Sequence, residues 1–396
     1  MKPTTEVIKN IVSVLQESLP KDKDFIALHE PSFQGNEWNY VKDCLDTGWV
    51  SSVGKYVDRF EEMLREYTGV KRAVAVVNGT AALHICLKLV GVERNDEVLL
   101  PALTFIATAN AISYCEAVPH FVDSCYETLG LDPDKLGDYL QDIAEVKNGA
   151  CYNKQTGRRI KAVVPMHTFG HPVDLDPLVE VCERFKIELI EDAAESLGSF
   201  YKGRHTGNWG RVSALSFNGN KITTTGGGGA ILTNDDTLGQ LAKHLTTTAK
   251  VPHKWEFVHD QIGYNYRMPN LNAALGCGQL EKLPQFLQEK RALASAYQKA
   301  FSQLDEVSFF IEPEFATSNY WLNVIRVSTE WRDIRDEILQ STNDRGLMTR
   351  PVWKLLCDLP MYSDAPKMDL TVARDLEKTI INIPSSAYLG AAYAKA

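Results

Sequence analysis

The chain has 396 residues, of which 44% are hydrophobic and 23% are charged, as is usual for a soluble globular protein. Its formal net charge of −9, with no cluster of basic residues, argues against a nucleic-acid-binding protein. At this length, one large domain with a smaller second domain is the expected organisation.

The cysteines and the first residues indicate a cytoplasmic protein. The eight cysteines are scattered, with no CxxC pair, so the sequence predicts neither a disulfide scaffold nor a bound metal ion. Residues 1–25 carry apolar side chains at helical spacing, interrupted by Glu6 and Lys9, which predicts an N-terminal helical segment and not a signal peptide. No apolar run reaches the ~18 residues of a membrane span, and we expect no contact with a membrane.

From about residue 71, short apolar segments alternate with amphipathic helices. The predicted strands, in chain order, are RAVAVV, DEVLLPA, AVPHFVD, IKAVVPM, IELIEDA, VSALSF and GAILTN. Strands that are apolar nearly throughout and separated by helices predict an α/β domain with a mostly parallel sheet covered on both faces. We place this large domain at residues 26–265, with a polar surface loop at residues 147–159.

The pattern changes near Pro269. A long helix is predicted from Leu271 to about Leu304, followed by short strands and one further helix. This mixture predicts a smaller C-terminal α+β domain, which we place at residues 266–396.

Ligands of parallel sheets bind at the carboxyl ends of the strands, which singles out two segments. After the first strand, Gly79 and Thr80 open a helix, whose free N–H groups form either a phosphate site or an ordinary helix start. After IELI comes Asp192, whose carboxylate either meets a cation in a buried site or caps a second helix.

The segment SFNGNKITTTGGGG follows another strand and places Lys221 before four glycines. A Walker loop requires glycines before the lysine, so this order excludes it. Lys221 is either a surface residue or an amine that forms a Schiff base with a carbonyl compound. The glycines form either a simple turn or a close approach of backbone beside the lysine.

A helix start for a phosphate, a buried aspartate and a Schiff-base lysine are together what pyridoxal 5'-phosphate requires. An aspartate at ~3 Å from the pyridine nitrogen contributes roughly 5 kcal/mol at an effective dielectric constant near 20, enough to keep that nitrogen protonated. Three further residues are predicted at the cofactor: Ser216 at the phosphate, Phe105 on the ring face and Glu195 at the ring hydroxyl.

The ordered motifs NGTAALH, TFIATANA, HTFGHPVDLD, IEDAAESLGSFYKGRHTG, SFNGNKITTTGGGG and GYNYRMPNLNAALG extend over almost the whole chain. In these motifs the chain resembles the DegT/DnrJ/EryC1/StrS family of sugar-nucleotide aminotransferases. The resemblance implies the fold type I (aspartate aminotransferase-like) architecture, with Lys221 as the catalytic residue and a homodimer with shared active sites. The implied cofactor-binding residues are Gly79, Thr80, Phe105, Asp192, Ser216, Lys221 and, from the neighbouring subunit, Asn265. Many relatives have glutamine at the position of Glu195.

The segments ESLGSFYKG, SFNGNKI and RPVWK resemble most the enzymes that aminate C4 of UDP-4-keto-6-deoxy-N-acetylhexosamines in the bacillosamine and legionaminic acid pathways. This likeness implies transfer of an amino group from L-glutamate, for a bacterial surface glycan. Arg350 and Trp353 are candidates for binding the nucleotide sugar, and Arg267 for a carboxylate, although all three are equally explained by packing or ion pairing. The alternatives are a GDP-4-keto-6-deoxymannose 4-aminotransferase of the perosamine synthase type, another pyridoxal-phosphate chemistry, or a non-enzymatic regulatory protein on the same fold.

Overall fold

The computed structural model describes residues 3–395, in which helices and strands alternate along most of the chain. The α-helices, α1 to α11, are Thr4–Ser18, Glu37–Thr47, Lys55–Thr68, Gly79–Leu89, Ile106–Tyr114, Pro133–Ile143, Leu175–Phe185, Asp236–Thr246, Asn270–Phe301, Arg335–Asn343 and Thr371–Thr379. The strands, β1 to β18, are Arg72–Val76, Glu97–Pro101, Val118–Val122, Ala144–Lys147, Ala150–Asn153, Ile160–Val163, Glu188–Asp192, Phe200–Tyr201, Arg204–His205, Val212–Ser216, Gly229–Thr233, Lys250–Val251, Val258–His259, Val307–Phe309, Ala316–Thr317, Asn323–Val327, Arg350–Pro351 and Ile380–Ile383.

The main sheet has seven strands in the order β1-β11-β10-β7-β6-β2-β3. Neighbouring strands from β10 to β3 pair in parallel, whereas β11 is antiparallel to both β1 and β10. Each of the seven predicted strands is present in this sheet, so the prediction of a large α/β unit with a mostly parallel sheet is confirmed.

Helices cover both faces of this sheet, which explains why its strands are mostly apolar. In β2, Val98 and Leu100 contribute to a core that includes α4 and α5, whereas Leu99 contributes to a second core with α6 and α7. All three side chains are fully buried. Successive residues of a strand face opposite sides, so a sheet covered on both faces buries side chains at every position and favours apolar residues there.

The C-terminal part contains a four-stranded antiparallel sheet in the order β14-β16-β18-β17. Its core includes apolar residues of α1, such as Val7, Ile11 and Leu15, together with the second half of α9. The predicted N-terminal helical segment is therefore a helix, and it packs on the core of the small sheet. The first half of α9 instead packs against α2 and α3 beside the main sheet, so this one helix connects the two sheets.

Residues 147–159, which we predicted as a polar loop, are partly ordered as strands. The strands β4 and β5 form an antiparallel hairpin. The end of β5 and the residues just after it bind Glu97, a fully buried residue of β2. Asn153 Nδ2 donates to Glu97 Oε2 at 2.9 Å and Thr156 Oγ1 donates to Oε1 at 2.6 Å. These side-chain hydrogen bonds join segments that are distant in the sequence. The polar composition of residues 147–159 therefore did not predict them. Within residues 3–395, no helix has the length and apolar character needed to cross a membrane.

Candidate active site

A cavity of about 310 Å³ lies at the carboxyl ends of the parallel strands. Eight of the predicted site residues line it: Gly79, Thr80, Phe105, Asp192, Glu195, Ser216, Lys221 and Trp353. These residues are widely separated in the sequence. The rule that ligands of parallel sheets bind at strand ends predicted that they lie together.

One end of the cavity is formed by the start of α4. The side chain of Asn78 accepts a hydrogen bond from the N–H of Ala81 at 2.8 Å, and the other N–H groups of the first turn have no partner within the helix. A Cβ atom at Gly79 would lie 2.9 Å from Cβ of Ser216, so only glycine fits here. Exposed N–H groups, the positive end of the helix dipole and the hydroxyls of Thr80 and Ser216 suit a phosphate.

Two of the four glycines after Lys221 have a clear structural reason, since Gly226 has a φ of 79° and Gly229 lies against the start of α4. A Cβ atom at Gly229, the first residue of β11, would lie 2.5 Å from the carbonyl carbon and oxygen of Asn78. Gly229 therefore allows β11 to approach the backbone at the start of α4. The close approach that we predicted beside Lys221 is, at this position, an approach to the phosphate end of the cavity.

Asp192, at the end of β7, is 2% exposed. Its Oδ2 accepts a hydrogen bond from Thr108 Oγ1 at 2.6 Å and its Oδ1 accepts one from the N–H of Ala194 at 3.2 Å. Burial raises the pKa of this carboxyl, and the hydrogen bond from Thr108 opposes that rise. Among the described residues, no cationic side chain lies within 4.0 Å of it. A buried carboxylate with hydrogen bonds but no cation suits a protonated ring nitrogen in the cavity.

The amine of Lys221 lies between a carboxyl group and an aromatic ring. Its Nζ is 3.3 Å from Oε1 of Glu195 and 4.0 Å from the centre of the Trp321 ring. The other carboxyl oxygen of Glu195 accepts a hydrogen bond from the N–H of Phe169 at 2.9 Å. Burial raises the pKa of Glu195 to about 7, although the nearby Lys221 opposes this shift. The carboxyl group of Glu195 can therefore gain or lose a proton near neutral pH.

Phe105 and Trp353 form an aromatic wall of the cavity, and the fully buried Phe169 packs against Trp353. Trp353 stacks on Phe169 with ring centres 5.1 Å apart and meets the edge of Phe105 at 6.3 Å. Phe169 has a φ of 56°, a left-handed conformation that is strained for a residue other than glycine. Its hydrogen bond to Glu195 helps to hold this conformation, so Phe169 links the aromatic wall to the carboxyl group beside Lys221.

The DegT/DnrJ/EryC1/StrS aminotransferase family matches residues 31–395 of this chain. The chain belongs to this family. The aminotransferase is 38% identical to GDP-perosamine synthase of Escherichia coli O157:H7 over 361 residues, which cover 91% of this chain and 93% of that protein. It is 35% identical to GDP-perosamine synthase of Caulobacter vibrioides over 367 residues, covering 92% of this chain and 94% of that protein. The crystal structure of the aminotransferase TlmJ from Streptoalloteichus hindustanus superimposes with a TM-score of 0.83 at 28% identity, covering 94% of this chain and 96% of that one.

The family identifies the chain as a sugar-nucleotide aminotransferase that uses pyridoxal phosphate. The cavity fits this cofactor on its own evidence. The glycine-lined start of α4 suits the phosphate, the buried Asp192 suits the ring nitrogen, and Lys221 lines the same cavity.

Three predicted residues of the aminotransferase do not line this cavity. Asn265 is exposed, Arg267 lines a separate cavity of about 130 Å³, and Arg350 donates to Asn343 Oδ1 at 3.1 Å and to the carbonyl of Thr349 at 2.9 Å. An exposed Asn265 agrees with its predicted contact to the active site of a neighbouring subunit. The roles of all three residues stay predictions.

Sequence reasoning missed three residues of the site. Thr108, which binds Asp192, lies one helical turn after Phe105, and this spacing was a usable signal. Phe169 and Trp321 gave no such signal, because an aromatic residue in the sequence is most simply interpreted as core. The contact of Trp321 with Lys221 depends on how the second sheet packs against the first, whereas the N–H of Phe169 reaches Glu195 between two loops of the main sheet.

Glu195 should make the stability of the cofactor-free protein depend on pH. Folding raises its pKa from 4.5 to about 7, so the folded chain binds a proton that the unfolded chain releases in this interval. The stabilisation by the protonated group is complete below pH ~4.5 and is lost as the pH rises through ~7, a change of roughly 3 kcal/mol. We expect Glu195→Gln to raise the midpoint of thermal unfolding relative to the unchanged protein at pH 8, and to have much less effect at pH 4.5.

Thermal unfolding of both proteins between pH 4.5 and 8 measures this effect, with Glu180→Gln, at an exposed glutamate, as the control. Unfolding midpoints of Glu195→Gln that follow those of the unchanged protein in parallel across this range would contradict the raised pKa.

Proposed function

We propose that this aminotransferase moves the amino group of L-glutamate to the C4 ketone of a UDP-4-keto-6-deoxy-N-acetylhexosamine, in the synthesis of a bacterial surface glycan. The observation that carries the proposal is the composition of the cavity, which combines the amine of Lys221 and the carboxyl of Asp192 with the aromatic wall of Phe105 and Trp353.

Bound pyridoxal phosphate supplies a ring that withdraws electrons from the bond between the donor Cα and its hydrogen. The residues of the chain position this ring and move protons. Asp192 favours a proton on the ring nitrogen, and the start of α4 with Ser216 holds the phosphate. Lys221 Nζ takes the proton from the donor Cα in the first half-reaction and delivers one to C4 of the sugar in the second. Trp321 covers Nζ and limits the access of water to it.

The aromatic wall supports a sugar with an acetamido group at C2. An acetamido group offers a flat amide and a methyl group, both of which stack favourably on rings such as those of Phe105 and Trp353. A C2 hydroxyl instead requires hydrogen-bonding partners when it is buried. We infer that the wall contacts the substituent at C2 and that Trp353 makes the larger contact.

GDP-4-keto-6-deoxymannose is a second candidate substrate, favoured by the comparison with known proteins. Three relatives that are 35% to 38% identical to this chain over about nine-tenths of its length are named GDP-perosamine synthase. They leave the substrate open, because one or two side chains in a sugar pocket can change it at this level of identity.

The test is to measure kcat/KM with L-glutamate and each of the two keto-sugars, identifying the amino sugar by mass spectrometry. We expect the UDP-sugar to be preferred by at least tenfold, and Trp353→Leu to reduce this preference by raising KM for the UDP-sugar. A preference for the GDP-sugar would establish the second candidate instead. If neither sugar is aminated while L-glutamate still converts the cofactor to its amine form, both proposed substrates are wrong and the aminotransferase assignment is unaffected.

We further propose that the enzyme is a homodimer in which Asn265 of one subunit reaches the phosphate in the active site of the other. The exposure of Asn265 and of the large apolar side chains Trp255, Phe257 and Ile262 in the preceding segment supports an interface here.

A further inference from the structure

The contacts of Trp321 suggest a function that its sequence context did not. We propose that Trp321 is a positioning residue that keeps the free amine of Lys221 in the reaction site, and that the buried Lys290 fixes Trp321 in this position. This inference does not depend on which nucleotide sugar is the substrate.

Trp321 contacts Lys221 at two places. Its ring centre lies 4.0 Å from Nζ, within the range of a cation–π interaction with a protonated amine. Its indole Nε1–H donates to the carbonyl of Asn220 at 2.7 Å, in the peptide that directly precedes Lys221. One side chain therefore restrains both the backbone from which the lysine extends and the amine at its end.

The backbone of Trp321 is fixed to the segment that carries Glu195. The N–H of Trp321 donates to Asn319 Oδ1 at 2.8 Å, and Asn319 Nδ2 donates to the carbonyls of Glu195 and Leu197, each at 2.9 Å. Tyr320, between Asn319 and Trp321, has a φ of 46°, a strained conformation for a side chain of this size. The ring of Trp321 and the carboxyl group of Glu195, which flank Nζ of Lys221, are thus held at a defined separation.

Lys290 of α9 holds the backbone of Trp321 by a hydrogen bond. It is fully buried, and its Nζ donates to the carbonyl of Trp321 at 3.1 Å and to the carbonyl of Ser385. Among the described residues, no carboxylate lies within 4.0 Å of this amine. Burial lowers its pKa to about 7. A buried lysine without a carboxylate is costly, so its two hydrogen bonds to backbone carbonyls are the observed compensation.

The reaction explains why such a restraint is useful. The amine of Lys221 would be free whenever it is not linked to the cofactor, and its side chain could then adopt many rotamers. It must nevertheless stay close to the donor Cα to transfer the proton. The ring of Trp321 on one side and Glu195 on the other hold Nζ in place and limit this loss of orientation.

The test uses the full chain loaded with pyridoxamine phosphate, in which Lys221 has a free amine. Acetylation of Lys221 by acetic anhydride is followed by peptide mass spectrometry as a function of pH. The charged and titratable groups around this amine are Glu195, Asp192 and His29, a buried histidine whose pKa is lowered by its burial and by Lys290 and Lys221. All three are unchanged in the variants compared.

A cation–π contact stabilises the protonated amine, so its removal makes Lys221 reactive at lower pH. We expect Trp321→Leu to lower the pH of half-maximal acetylation by about half a unit or more, and Trp321→Phe, which keeps a ring but loses the indole N–H, to do so less. Lys290→Met should also lower the pH of half-maximal acetylation. Trp209→Leu, at a tryptophan that packs on Tyr201 away from the site, is the matched control.

Kinetics of the half-reaction with L-glutamate separate positioning from substrate binding. We expect Trp321→Leu to lower the limiting rate at least tenfold and to leave the L-glutamate concentration for half-maximal rate within about twofold. The proposal is overturned if the acetylation profile of Trp321→Leu equals that of Trp209→Leu, or if only the half-maximal concentration changes. An unchanged profile in Lys290→Met would overturn the part that concerns Lys290.

Discussion

Replacing Lys221 with alanine is expected to reduce amino transfer to the sugar by roughly 10⁴-fold or more. The change removes both the covalent attachment point for the cofactor and the base that carries protons between donor and acceptor, and each of these contributes several orders of magnitude. The measurement is the rate of amino-sugar formation, together with the visible absorption of the bound cofactor. We expect the absorption band of the lysine-linked cofactor to be absent, although the phosphate site still binds the cofactor.

The matched control for this change is Lys161→Ala. Lys161 forms an ion pair with Glu188 at the amino ends of β6 and β7, whereas the cavity lies at the carboxyl ends. The control variant should retain nearly full activity. A rate for Lys221→Ala within tenfold of the unchanged enzyme would mean that another group carries the proton and that our assignment of the catalytic residue is wrong.

The same variant tests the proposed dimer. If Asn265 acts in the neighbouring active site, mixed dimers of Lys221→Ala and Asn265→Ala chains contain one site with both changes and one site with neither. Co-refolding two weakly active proteins should therefore restore activity to a substantial fraction of the unchanged enzyme. No restoration, with mixed dimers demonstrated by mass, would contradict a shared site.

The second large effect is expected for Asp192→Asn, which should slow the half-reaction with L-glutamate by about 10³-fold. Asparagine has the same shape and still accepts the hydrogen bond from Thr108, but it has no charge to favour a proton on the ring nitrogen. The Coulomb interaction at ~3 Å is worth roughly 5 kcal/mol, and losing most of it in the transition state corresponds to about three orders of magnitude in rate. Stopped-flow absorption of the cofactor after mixing with L-glutamate measures this rate.

Thr108→Val provides a graded comparison for the aspartate. It removes the 2.6 Å hydrogen bond to Asp192 Oδ2 but retains the charge, so we expect a loss of about tenfold. A rate for Asp192→Asn close to that of Thr108→Val would show that orientation of the carboxyl, and not its charge, is what the reaction requires.

The sequence was sufficient to predict the main sheet and the centre of the site. Strands buried on both faces are mostly apolar, as Val98 to Leu100 of β2 show, and the residues that follow the parallel strands lie together at their carboxyl ends. For this reason, the sequence alone predicted that Asp192 and Lys221 belong to one site. Gly79 lines the cavity as expected, and its predicted role at the phosphate rests on the free N–H groups that small residues at the start of a helix leave accessible to an anion.

The remaining features depend on contacts between segments that are distant in the chain. Trp321 reaches Lys221 only because the second sheet packs beside the first, and the stacking of Trp353 on Phe169 has the same origin. The strained backbone of Phe169 follows from a hydrogen bond to Glu195, which local propensity does not encode. For Arg350, the sequence could not distinguish a ligand contact from its hydrogen bonds to Asn343 and Thr349.

The position of α1 has a consequence for how the protein is made. Its apolar side chains Val7, Ile11 and Leu15 are buried by partners that include Ile338 and Ile381, which leave the ribosome more than three hundred residues later. During translation this amphipathic helix therefore has no native partner, while the large sheet can already assemble. A nascent chain with such an exposed apolar surface is a substrate for molecular chaperones and is prone to aggregation when expression is fast. Slower synthesis at low temperature should increase the soluble yield for this reason.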